Sequence, residues 1–315
     1  MHNLIFAFIG LLILGEISFL FSRKYYKTKY QAQKILDAIL PYDDLLNHAA
    51  TIARSHSVTL KSDSASVLFN RLDSNYNYIT MVHKELIDKV GSDVKMPSAA
   101  EWLLDNYYII EQHIKQIQKN DGKKFLKYLP VISDGEYRGL PRIYALATEL
   151  VAHTDSKLDK QTIVGFVKYY QSEQGLSSIE LWSLPVMLNM VLVENIAYIC
   201  RKIRLSRKEY EHADRYYKFI CSKKDEPQLI KEKLDRYFSH NSRISESFIE
   251  QLLTSLKRLG KCSMYTLALI DSHLFDKAYT ASGLVSLEHK KQAARQISIG
   301  NSIVSMVTIS GIDWS

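Results

Sequence analysis

Six residues within or beside one stretch of the chain, residues 98–195, carry side chains able to grip a ligand: Trp102, Asp105, Asn106, Arg142, His153 and Trp182. The two indoles offer broad apolar faces with a single N–H donor each. Asp105 and Asn106 share a helical face with Trp102, Leu103, Tyr107 and Ile110, and a polar group on such a face needs a partner. Bonding to a neighbouring loop, which would fix that loop's position, is the expected use. His153-Thr154-Asp155 invites a metal reading, but neither a second His nor an acidic pair stands close by at ligand spacing. A turn in which Asp155 orients His153, or caps the chain, is expected instead, and no metal ligand is assigned. His48, His56 and His83, scattered over polar helix faces, are expected to be solvated.

The standard catalytic arrangements are missing. There is no glycine-rich phosphate loop, no Gly-x-Ser-x-Gly elbow and no His-Glu-x-x-His. No two Asp stand two apart, so the Asp-x-Asp signature of many sugar-nucleotide transferases is lacking. Gln292-Ala-Ala-Arg295-Gln296 is partly similar to the Gln-x-x-Arg-Trp motif of processive sugar transferases, with Gln296 where the Trp belongs, and reads as helix surface. The residues thus describe a scaffold without an active site, needing no cofactor.

The elements that must hold those six side chains are helical. Ser98 with Glu101, and Ser177 with Glu180, stand at capping-box spacing, and Asp159 is placed to cap a helix carrying Ile163, Phe166, Val167 and Tyr170. Leu129-Pro130 and Leu140-Pro141 bracket a loop, and Pro141 suits the first turn of a helix over 142–151. Pro185 should kink the helix that carries Trp182, and the residues beyond it are apolar nearly all round. Past Arg201 basic and acidic groups alternate, as on a solvated helix with pairs four apart. Leu68, Leu72, Ile79, Val82 and Leu86 mark one more amphipathic helix, and Phe248, Leu252, Leu253 and Leu256 another. No useful run alternates with strand period. The fold class is therefore all-α: an N-terminal transmembrane helix followed by a multi-helix bundle or array.

The anchor is expected at residues 1–22. Leu4 to Phe21 is apolar apart from Glu16 and approaches the roughly 20 residues needed to span a bilayer. Arg23, Lys24, Lys27 and Lys29 follow with Tyr25, Tyr26 and Tyr30 interleaved, which places the remainder in the cytoplasm. Three further segments are read at 23–95 (amphipathic helices), 96–205 (a central core module) and 206–315. The chain stops directly after an apolar helix at Trp314-Ser315, which is read as a cut.

Totals agree with this picture. The 315 residues hold 46% hydrophobic and 24% charged side chains but only 12 Gly and 6 Pro, a balance of long helices over turns. The net charge of +7 is spread thinly and partly flanks the apolar run, which favours membrane proximity over nucleic acid. Cys200, Cys221 and Cys262 form no Cys-x-x-Cys pair and read as thiols of a reducing compartment.

Several blocks in order carry a resemblance: AEWLLDNYYIIEQHIKQI, GLPRIYALATELVAHTDSKLD, IELWSLPVMLNMVLVEN and QISIGNSIVSMVTISGIDW. Together they resemble the N-terminal region of bacterial cyclic β-1,2-glucan synthases. The resemblance implies a large inner-membrane enzyme that polymerises glucose from UDP-glucose and closes the chains into rings, with its catalytic regions beyond this segment. No catalytic residue carries over to any position here. This chain is then expected to be an accessory module packing on the transferase domain of the same protein, with β-1,2-glucan as a further partner. Trp102 and Trp182 would stack on sugar, and Asp105, Asn106, Arg142 and His153 would be their polar partners, against core packing and loop pinning as the plainer use. A free-standing, membrane-anchored helical scaffold that binds another protein is the alternative.

Overall fold

The computed structural model describes residues 39–60, 64–89, 91, 95–119 and 126–314. The apolar run 4–21 and the basic segment behind it lie outside the described residues. Ten α-helices make up most of what is described: α1 (Tyr42–Ser55), α2 (Ser64–Ile87), α3 (Ser98–Lys119), α4 (Arg142–His153), α5 (Lys160–Glu173), α6 (Ser178–Ser222), α7 (Pro227–His240), α8 (Glu246–Lys257), α9 (Met264–Asp276) and α10 (Ala281–Gly311). Two short strands, β1 (Val58–Thr59) and β2 (Val131–Ile132), pair antiparallel, with Val58 opposite Ile132 and Thr59 opposite Val131. The chain is all-α, as its apolar spacing requires.

Two compact units form, neither continuous in sequence. Apart from the final two residues, the first takes residues up to 64 together with Lys124–Leu188, and the second takes Ala65–Lys123 with Asn189–Asp313. The sequence boundaries at 95 and 205 follow breaks in pattern, whereas these units follow packing.

In the first unit α1 lies along α5. Leu45, Leu46, Ala49 and Ala53 face Ile163, Phe166, Val167 and Tyr170, all buried at three- and four-residue steps. Gly165 allows that approach, because a Cβ there would meet the Tyr42 hydroxyl at 2.5 Å. Asp159 caps α5 as expected, accepting from the Thr162 N–H at 2.8 Å. The core helix of this unit is α4, in which every residue from Arg142 to Ala152 is buried.

In the second unit α10 packs against α3 and α8. Asn195 donates to Ser298 and Ser302 of α10 at 3.0 and 3.1 Å, which partners a buried amide across two helices. The 45-residue α6 runs unbroken through Pro185 and past Arg201, where the sequence changes character. Among the described residues, only α6 is long and apolar enough to cross a membrane, yet 78% of its apolar window is buried in protein. Burial pushes the Cys200 thiol in that window up to about 12.

An aromatic cluster closes the second unit. Phe248 stacks on Tyr237 at 4.2 Å between centroids, and His212 lies 5.1 Å from Phe248 and 5.1 Å from Tyr216. Burial lowers the His212 pKa, opposed by Glu209 and reinforced by Arg215 and Lys233. His83, stacked on Tyr107 at 3.8 Å, is lowered by burial as well. An unfolded His takes up its proton near pH 6.5, and these folded ones do so lower, so acidification favours the unfolded chain. The unfolding midpoint should therefore fall between pH 7 and pH 5, with a shallower fall in His212→Gln. A midpoint that is flat or rises over that range would contradict the burial argument.

Candidate functional site

The first unit carries its polar chemistry at the two ends of α4. Pro141 precedes the helix, and the first N–H, that of Arg142, reaches the Pro130 carbonyl at 2.9 Å. At this end the Arg142 guanidinium forks onto Glu180, Nε to Oε1 at 2.8 Å and Nη2 to Oε2 at 2.7 Å. It also donates to the Gln174 amide oxygen at 3.0 Å and the Gly175 carbonyl at 3.1 Å. Glu180 accepts in addition from the N–H and the hydroxyl of Ser177, both at 2.8 Å. The reach of Glu180 back to the start of α6 was readable in the sequence. Its grip by Arg142 was not.

At the other end three titratable side chains meet. Glu149, buried in α4, accepts on Oε2 from His48 Nε2 of α1 at 2.7 Å, and His153 Nε2 stands 3.4 Å from the same oxygen. The Tyr137 hydroxyl donates to Oε1 at 2.7 Å. The two imidazoles meet edge to face with centroids 4.4 Å apart. Burial by itself would push the Glu149 carboxyl up, but hydrogen bonds from His153, His48 and Tyr137 overcome it and hold it down at about 2. Burial and the negative charge nearby push the Tyr137 phenol well above its usual range. The result is a carboxylate that keeps its charge inside the protein, with both imidazoles on one of its oxygens.

Of the six side chains singled out by sequence, the first unit holds Arg142, His153 and Trp182. Arg142 and His153 are the first and last residues of α4, roughly 16 Å apart at 1.5 Å per residue, so they form no common site. Trp182 is 75% exposed on α6. The second unit holds Trp102, Asp105 and Asn106 on α3. The Trp102 ring lies on Gly300 of α10, where an added Cβ would touch it at 3.6 Å. Asn106 donates to the Trp102 carbonyl at 3.0 Å, one turn back, and Asp105 is exposed. The sequence singles out neither Glu149 nor His48 as a site residue, and the expected solvation of His48, His56 and His83 does not hold, His83 being half-buried on the Tyr107 ring. His48 is half-buried on Glu149, and His56 is buried against the Tyr170 hydroxyl at 2.9 Å. The four-residue spacing of Glu149 and His153 was a usable signal, since it puts both on one helix face.

No protein-family model matches the chain. Among curated proteins it is similar to the cyclic β-(1,2)-glucan synthase NdvB of Rhizobium meliloti (strain 1021), with 27% identity over 278 residues. The similarity covers 87% of this chain and 10% of that protein, so the chain spans about a tenth of the length of the relative it matches. The four sequence blocks carry a resemblance to cyclic β-1,2-glucan synthases, and this relative is one by name.

Proposed function

We propose that the chain is an accessory helical module of a cyclic β-1,2-glucan synthase. It packs against a transferase domain that draws on UDP-glucose and carries none of the glucosyl transfer itself. The observation that carries this reading is the similarity over 87% of the chain to a tenth of the glucan synthase. The local chemistry supports it, because Arg142 and Asn106 are spent on neighbouring groups of the fold. The apolar run 4–21 with its basic flank would hold the module on the cytoplasmic side of the inner membrane. The exposed Trp182 indole is the face on which a growing glucan would stack.

Co-expression with a tagged transferase region of the glucan synthase tests the reading. The chain should co-purify with it, and alone should incorporate no glucose from UDP-glucose. Failure to co-purify, or glucose transfer by the chain alone, would overturn it. For the glucan contact, linear β-1,2-glucan should change the tryptophan emission of the wild-type chain and leave Trp182→Ala unmoved. An unchanged wild-type emission would remove Trp182 from the proposal.

A further inference from the structure

We infer that His48, Glu149 and His153 bind a single divalent transition-metal ion of the zinc class, tying α1 to α4. Two imidazole nitrogens and one carboxylate oxygen all lie within 4.8 Å of one another. Around an ion with bonds of about 2.0–2.1 Å, tetrahedral ligand atoms stand roughly 3.3 Å apart. The two pairs that include Glu149 Oε2 measure 2.7 and 3.4 Å, so small movements suffice to admit the ion.

The donor set selects the metal class. Magnesium and calcium prefer oxygen ligands throughout, and copper(I) prefers thiolate or thioether. Two imidazoles with one carboxylate suit zinc, cobalt, nickel or iron(II) and leave a fourth position to water. The surroundings are those of ligands held in place. Tyr137 occupies Oε1, which leaves Oε2 to face both nitrogens, the arrangement by which an outer hydrogen bond orients a ligating carboxylate. The His153 carbonyl accepts from the Leu40 N–H at 3.0 Å, and the second and third residues after His153 have left-handed backbone, Asp155 at φ 49° and Ser156 at φ 61°. The chain thus turns sharply just past the ligand. His48 keeps a quarter of its side chain exposed, which provides an entry path. Its partner Glu149 lies 101 positions further along the chain, so the ion would close a long loop.

The test uses the full chain, purified in detergent, stripped with EDTA and titrated with Zn2+ and then Co2+. Calorimetry and elemental analysis should give one ion per chain, and Co2+ should develop the visible absorption of a low-coordinate nitrogen and oxygen site. Zn2+ should raise the unfolding midpoint of the wild-type chain. His48→Ala, which removes a partly exposed side chain, should keep the fold and lose that rise. Tyr137→Phe should still bind, with affinity about tenfold weaker, which a purely structural hydrogen bond would not produce. Two results would overturn the site: less than a tenth of an ion retained by a folded chain, or binding unchanged in the His48→Ala, His153→Ala double variant. Glu149→Gln, which removes the carboxylate ligand, should lose the Zn2+ rise as well; should it fail to fold, the histidine variants still decide the matter.

Discussion

Arg142→Ala is expected to cost the fold about 3–5 kcal/mol, because it strands a carboxylate inside the protein. The Glu180 side chain is only 1% exposed, and Arg142 supplies its counter-charge through two parallel hydrogen bonds. The same guanidinium ties the start of α4 to the segment after α5 through Gln174 and Gly175. Arg142→Lys should restore only part of the loss, since an ammonium cannot reproduce the planar fork. Arg142→Met with Glu180→Met should be less harmful than Arg142→Ala alone, since no charge is then left buried. Urea unfolding followed by circular dichroism distinguishes these cases. An alanine variant within about 1 kcal/mol of wild type would show that the ion pair is not needed for stability.

Phe248→Ala should be comparably costly, at about 3–5 kcal/mol. Its ring is fully buried, stacked on Tyr237 and edge-on to Tyr216, and lies in a cluster that includes Leu234, Leu252, Leu256, Ile270 and Leu274. Helices α7, α8 and α9 all contribute to that cluster, so the void has no single element that can close it. Hydrogen exchange should report faster opening of amides in these helices. Unchanged exchange there, with stability near wild type, would mean that the cluster repacks around the missing ring.

What sequence could and could not reveal divides along range. Features set within four residues were readable: the apolar faces of α2 and α5, the Asp159 cap, and the Glu180 contact with Ser177. The helical class follows from these. Partnerships across long separations were not readable. Glu180 fits a capping box, and nothing near it in sequence announces Arg142, 38 positions earlier. His48 reads as solvated until α1 is laid beside α4, because its partner is remote in the chain. Trp102 and Trp182 look alike in sequence, yet one rests on Gly300 and the other is largely exposed, a difference made by which helix lies opposite. The continuity of α6 was missed because a switch from apolar to charged residues at Arg201 looks like a boundary, although it leaves the backbone helical.

The complete enclosure of α4 also governs what its sequence can tolerate. An ordinary surface helix offers a spare side, so a scan of all substitutions along it rises and falls every three or four positions. Between Arg142 and Ala152 there is no outward side to vary. A saturation scan should show an even floor of intolerance across those eleven consecutive residues, small ones such as Ala145 and Ala147 included, since growth at either has nowhere to go. The helix that holds both polar ends of this unit would then have little freedom to drift.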